Sequence, residues 1–309
     1  MEELFVSNKT VYELMYNSMT MAVNILNTEV QSKVSELIAA ESNEIAKFNL
    51  ELSLKNCIEY NEKGKQFLCP DTGAPTYYVK IGDNVRLEKG FSSLYEVSRK
   101  AIQDATTGFK LRPNMVHPIT RNNSGTNTGD YSPPIELRFD PNIDYLEIVA
   151  VPISGGSEAS GTFYRMLSPM DGTKGIMKFI LDCIKNSTYA GKTCPPNIIG
   201  IGIGGTADIC MKIAKQAAVL RPIGKRHPDK AISELELELV DLVNSSGIGP
   251  MGMGGSAGVL DVHIECAETH VAGLPVAYNA QCWLGRRKVA RINPDGSIIY
   301  CDSTEWEYR

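Results

Sequence analysis

The chain lacks most of the features that would mark it for a specialised class. It has no excess of positive charge: 31 Lys and Arg stand against 36 Asp and Glu, a formal net charge of −5, so it offers no broad electrostatic footprint for nucleic acid or an anionic membrane. It has no apolar run of about 18 residues, the length that signals a membrane helix. Residues 1–20 begin acidic and never build the apolar core of a secretory leader. Its eight cysteines contain no Cys-x-x-Cys pair, which removes the usual spacing of a structural zinc site, and they are spread too thinly for a disulfide scaffold. No internal repeat or low-complexity tract appears, and no linker-like stretch forces a domain boundary. These absences predict a cytoplasmic globular protein with reduced or metal-binding thiols, no nucleic-acid partner and no membrane partner.

What is present is an ordinary globular composition, 43% hydrophobic and 22% charged. Val11, Leu14, Met15, Met19, Ala22, Val23 and Leu26 recur at helical spacing, and a second pattern runs from Val34 to about Tyr60 with no Pro or Gly before Gly64. From Phe67 onward, β-rich runs at 76–81, 145–151, 197–203 and 273–278 alternate with loops and helical stretches. Helices are predicted at 94–106, 173–185, 207–220 and 233–244, the last opened by a capping box of Ser233 and Glu236. The fold class is therefore α/β of mixed α+β type, a helical N-terminal region over 1–65 followed by a mixed α/β body over 66–309.

Four loops, at 124–134, 153–161, 200–207 and 247–258, are rich in glycine or small polar residues. Such loops let backbone N–H groups converge on an anion, although each is equally good material for a tight turn. Gly200, Gly202 and Gly205 fit G-x-G-x-x-G between a strand and a helix, the context of a dinucleotide turn. The acidic residue expected about 20 positions later is missing, and the chain there reads LRPIGKRHPD. Cys69, Cys194 and Cys282 lie in FLCPDTGAP, GKTCPPN and NAQCWLGRR; a following proline stiffens the loop beyond a ligand, whereas a lone cysteine is otherwise a small buried hydrophobe. Asp71 and Thr72 stand beside Cys69, placing a carboxyl and a hydroxyl next to any metal held there. His270 and His263 are seven residues apart on one candidate helical face or strand-end loop, and the arginines at 112, 121, 221, 226, 286 and 287 fall in or beside the loops.

Taken in order, CPDTG, LRPN, TRNNSGTNTGDYSPP, SGGSEASG, CPPNIIGIGIGGTA, LRPIGKRHPDKAISELELEL, GIGPMGMGGSAGVLDVHIE and NAQCWLGRR resemble the α subunit of two-subunit iron–sulfur hydro-lyases, the class I fumarate hydratases and L(+)-tartrate dehydratases. The likeness covers about residues 10–290. It implies a [4Fe–4S] cluster on Cys69, Cys194 and Cys282, and reversible hydration of a four-carbon dicarboxylate. It also implies roles for Asp71, Thr72 and His270 in catalysis, for Arg112 on a substrate carboxylate and for Gly155 and Gly156 in a substrate loop. Pro70 stands where the family usually has Gln, and CWLGRR is closer to the tartrate branch. The further Arg, Lys and Thr groups of single-chain relatives have no counterpart before Arg309, so a separate β subunit is expected, in an α2β2 heteromer. Two rival readings remain open: an NAD-dependent oxidoreductase built on Gly200–Gly205, and a cluster-carrying regulatory protein without catalysis.

Overall fold

A computed structural model describes residues 3–63 and 66–306. The elements run β1 (Leu4–Val6), α1 (Asn8–Asn24), α2 (Thr28–Ala40), α3 (Glu44–Lys63), β2 (Ala74–Gly82), β3 (Val85–Leu87), α4 (Ser93–Thr107), β4 (Ile135–Asp140), β5 (Leu146–Ile153), α5 (Gly155–Ala159), β6 (Thr162–Leu167), α6 (Gly172–Asn186), β7 (Asn197–Gly204), α7 (Ala207–Leu220), α8 (Lys230–Ser245), β8 (Val259–Ala267), β9 (Leu274–Gln281), β10 (Lys288–Ile292) and β11 (Ile298–Cys301). This is the mixed α/β architecture that the sequence predicts. Among the described residues no helix is long and apolar enough to cross a membrane.

Contacts divide the chain into two compact units, one of Met1–Leu26, Tyr60–Ile153 and Arg286–Ser303, the other of Asn27–Glu59, Ser154–Gly285 and Thr304–Arg309. A boundary at residue 65 is therefore not where the contacts fall: α1 belongs to the first unit, while α2 and most of α3 belong to the second. The second N-terminal pattern is also broken without Pro or Gly. Asn43 takes the N–H groups of Ile45 and Ala46 on its side-chain oxygen at 3.0 and 3.1 Å, which starts α3 by capping.

In the first unit a five-stranded sheet runs β11-β10-β5-β2-β4. β2 pairs antiparallel with β5 and parallel with β4, and β10 pairs antiparallel with β5. β5 is buried along its whole length and β2 over most of it, which is why both read as near-continuous apolar runs rather than alternating ones. Helix α1 packs on β5 and β10 and along α4, and its Leu14, Met15 and Met19 close the core with Val79, Ile81, Leu94 and Ile148.

The second unit carries a four-stranded sheet in the order β6-β9-β7-β8, with β7 and β8 parallel and β9 antiparallel to β7. Helix α7 lies across β7, β8 and β9. Gly200 and Gly202 are inside β7, two residues apart on one face, and a Cβ on either would run into a carbonyl oxygen of α7, that of Ala214 or Cys210 respectively. These glycines let the helix approach the strand. The glycine run therefore serves helix–strand packing, and the dinucleotide reading loses the feature that suggested it.

Helix α8 starts earlier than predicted. Its cap is Asp229, whose carboxylate takes the N–H groups of Ala231 and Ile232 at 2.9 and 3.2 Å. Ser233 lies within the first turn, and Glu236 is fully buried and turned to other partners.

Candidate active site

In the first unit, Leu68 is buried and its N–H reaches the Val23 carbonyl at 3.0 Å. That contact anchors the segment that carries Cys69 into β2. Beyond it the chain turns at Gly73, whose φ is +88° and whose position leaves no room for a Cβ against the Pro152 carbonyl. Asp71 Oδ1 accepts the Gly73 N–H at 3.0 Å and the Asn114 Nδ2–H at 2.9 Å. The hydroxyl of buried Thr72 accepts the Arg112 N–H at 2.9 Å. This fixes the backbone of Arg112, whose residue surface is exposed. The adjacent Asp71 and Thr72 are thus tied into one corner with Arg112, distant in sequence.

Two residues that the sequence does not mark, Asn114 and Asn127, and one that it offers only as one of six loop arginines, Arg286, hold that corner. Asn114 bridges Asp71 and the Gly73 carbonyl. Asn127 is buried at φ 58°, accepts the N–H groups of Asn114 and Met115 at 2.7 and 3.1 Å, and donates to the Arg112 carbonyl at 2.9 Å. An Asn in a Gly-rich loop is the usual sign of such a left-handed position. Arg286 is only 5% exposed and donates from Nη1 to the Asp71 carbonyl at 2.7 Å. Its Nε and Nη2 are buried with no hydrogen-bond partner among the described residues. A buried donor left unpaired costs about 1–3 kcal/mol, and more when charged.

In the second unit Gly155 opens the short helix α5, and backbone contacts bring Gly156, the segment before Cys194 and the Cys282 loop together. A Cβ on Gly156 would stand 2.7 Å from the Lys192 carbonyl oxygen, and one on Gly161 would stand 3.0 Å from Thr193 Cγ2. The small residues of 155–161 therefore let this turn press on the segment that leads into Cys194. The Trp283 N–H reaches the Cys194 carbonyl at 3.2 Å, joining the two cysteine loops. Fully buried Asn197 ties both, donating to the Thr193 and Gln281 carbonyls at 2.9 and 2.8 Å. Cys194 itself sits at φ 54°.

The histidines do not pair. His263 is inside β8, fully buried between the Ala217 carbonyl and Asp261 at 3.0 and 3.1 Å. His270 lies beyond the strand on an exposed turn, where its Nδ1 accepts the Ala272 N–H at 3.1 Å.

The cysteines sort by exposure. Cys57, Cys183 and Cys210 are buried, and burial pushes the thiols of Cys183 and Cys210 up to about 12. Such sites keep the thiol neutral. Cys69 and Cys282 are half-buried and Cys194 is exposed, all three as thiols in loops outside the helices and strands, so their donor chemistry fits an iron–sulfur cluster. Among the described residues no three His, Cys, Asp or Glu side chains are gathered as a metal group.

The second unit also buries a network of charges from LRPIGKRHPD, α8 and β8. Arg221 Nη1 lies 2.8 Å from Glu236 and 3.0 Å from Glu265, and also donates to the Ile264 carbonyl at 3.1 Å. Glu236 further accepts the N–H groups of Ile264 and His227 at 2.9 and 3.1 Å, while Arg226 pairs with Asp261. Burial pushes Glu265 up to about 7 against the pull of Arg221. Burial raises Asp261 too, yet His263, Arg226 and the Gly224 N–H together hold its carboxyl well below the ordinary range.

Comparison with known proteins places the chain in a family. A family model described as fumarate hydratase (Fumerase) matches residues 12–291. A Methanocaldococcus jannaschii protein provisionally named L(+)-tartrate dehydratase subunit alpha is 44% identical over 274 residues, covering 88% of this chain and 94% of the relative. The L(+)-tartrate dehydratase α subunits of Escherichia coli and Shigella sonnei are 32% identical over 286 residues, covering 92% of this chain and 91% of each relative. With the family match spanning nearly the whole chain and these relatives aligned along it, the protein belongs to the fumarate hydratase (Fumerase) family.

Proposed function

We propose that this chain is the α subunit of an iron–sulfur hydro-lyase that reversibly adds water to, or removes it from, a four-carbon dicarboxylate, either fumarate/malate or L-tartrate/oxaloacetate. Family membership and the named relatives support the reaction class. The single observation that supports the site is the corner in which Asp71, Thr72 and Arg112 are tied together through Asn114 and Asn127. Residues 66–309 carry the catalytic groups.

Cys69, Cys194 and Cys282 would hold a [4Fe–4S] cluster as thiolates. With three protein ligands, such a cluster supplies a Lewis-acidic iron to a substrate hydroxyl and carboxylate. Asp71 exchanges the proton of the departing or arriving hydroxyl through its carboxylate, whose plane is fixed by the two donors on Oδ1. Thr72 holds the Arg112 backbone so that the guanidinium can take a substrate carboxylate as a two-pronged fork. Gly155 and Gly156 form the substrate loop, and His270 assists proton traffic.

A separate β subunit, named for none of the residues here but implied by the α-subunit names of the relatives, completes the site in an α2β2 heteromer in the cytoplasm. Pro70 removes the side-chain amide usual at that position, and hydrogen-bonding positions discriminate strongly between substrates, so L-tartrate is the first substrate to test. The experiment is anaerobic co-expression with the β subunit, cluster reconstitution and a panel of L-tartrate, L-malate and fumarate. Turnover of at least one is expected; a cluster-loaded heteromer that transforms none would overturn the proposal.

A further inference from the structure

Arg286 is buried to 5% exposure and uses one of its three guanidinium nitrogens, Nη1, on the Asp71 carbonyl at 2.7 Å. Its other two, Nε and Nη2, are buried and make no hydrogen bond among the described residues. Those two N–H groups share one edge of the planar guanidinium and point the same way, at the spacing of the two oxygens of a carboxylate. A guanidinium keeps its charge at any ordinary pH. A buried cation with a vacant two-pronged edge, one bond away from the Asp71 backbone, is suited to an anion that comes and goes.

Resting on the hydro-lyase reading, we propose that Arg286 is a substrate-binding residue whose Nε/Nη2 edge takes one carboxylate of the dicarboxylate, while Nη1 keeps Asp71 in register with it. The residue would then couple the grip on substrate to the position of the proton-exchanging carboxylate. Arg287, the next residue, contrasts with it: its Nε donates to the Asp302 carbonyl at 2.8 Å.

The test compares succinate with butyrate, two four-carbon acids that differ by one carboxylate, as protectants of the reconstituted αβ enzyme against thermal unfolding. Turnover is not needed for this readout. The wild type should bind succinate more tightly than butyrate, and Arg286→Gln should lose roughly 10- to 100-fold of that preference, the worth of a charge-assisted hydrogen bond or two, with iron content unchanged. Arg286→Lys keeps the charge but not the fork, and guards against a variant that does not fold; it should lose part of the preference and raise KM more than it lowers kcat. An unchanged succinate preference in either folded variant would overturn the assignment and leave Arg286 a positioning residue for Asp71 alone. A wild type that turns over no dicarboxylate would instead count against the hydro-lyase reading, and the binding comparison would still decide the role of Arg286.

Discussion

Two buried polar regions, one in each unit, are built from the same kinds of side chain and finished differently. In the second unit, Arg221, Arg226, Glu236, Asp261 and Glu265 satisfy one another and the surrounding backbone. In the first, the corner of Asp71, Thr72, Asn114 and Arg286 is tightly held on one side, yet two guanidinium nitrogens of Arg286 have no hydrogen-bond partner among the described residues. Charges taken out of water are tolerated when they are paired and hydrogen-bonded. A network that closes on itself therefore reads as structure, and one that stays open reads as a place kept for a ligand.

The largest expected effect concerns the thiols. Changing Cys69, Cys194 or Cys282 to Ser should abolish iron and sulfide retention, measured after anaerobic purification, whereas Cys57→Ser or Cys301→Ser should not; full iron in Cys194→Ser would remove it from the ligand set. Next comes the closed network. Glu236→Gln leaves buried arginines short of a carboxylate and should cost about 3–5 kcal/mol of stability, as breaking a buried ion pair does, read by denaturant unfolding. The folded fraction should keep its kcat, and a variant of normal stability but low kcat would reverse the roles assigned to the two regions.

The smallest effect is a pH dependence. Glu265 has a folded pKa of about 7 against an ordinary 4.5, so the folded chain holds a proton that the unfolded chain releases. Its contribution is complete below about pH 4.5 and is lost as pH rises through about 7. The Tm of Glu265→Gln should consequently fall less than that of the wild type between about pH 5 and 8. Parallel curves for the two proteins would contradict this.

Much of the fold could be read in the sequence because periodicity and burial coincide there: α7 runs over the predicted 207–220, and all four predicted β-rich runs are strands. Strand β8 was harder, since Asp261, His263 and Glu265 break its apolar texture and become intelligible only once their partners from α7, α8 and the loop before α8 are in place. The capping box at Ser233 failed for a related reason. Asp229 offers an equally good cap four residues earlier, and Glu236 is claimed by Arg221. Asp71, Thr72 and Arg112 were legible as chemistry through their motifs, but Arg286 was not. Six arginines lie in or beside the loops, and which of them is buried with an open edge is decided by packing across more than 200 residues of chain, where Arg286 meets the Asp71 carbonyl.

The measurement that bears most directly on the open corner is turnover by Asp71→Asn in the cluster-loaded heteromer, with iron content determined on the same sample. General acid–base groups contribute roughly 100- to 10,000-fold in rate. The account predicts a fall of at least about 100-fold in kcat with iron unchanged. Near-normal turnover at full iron content would contradict it and take the proton transfer out of this corner.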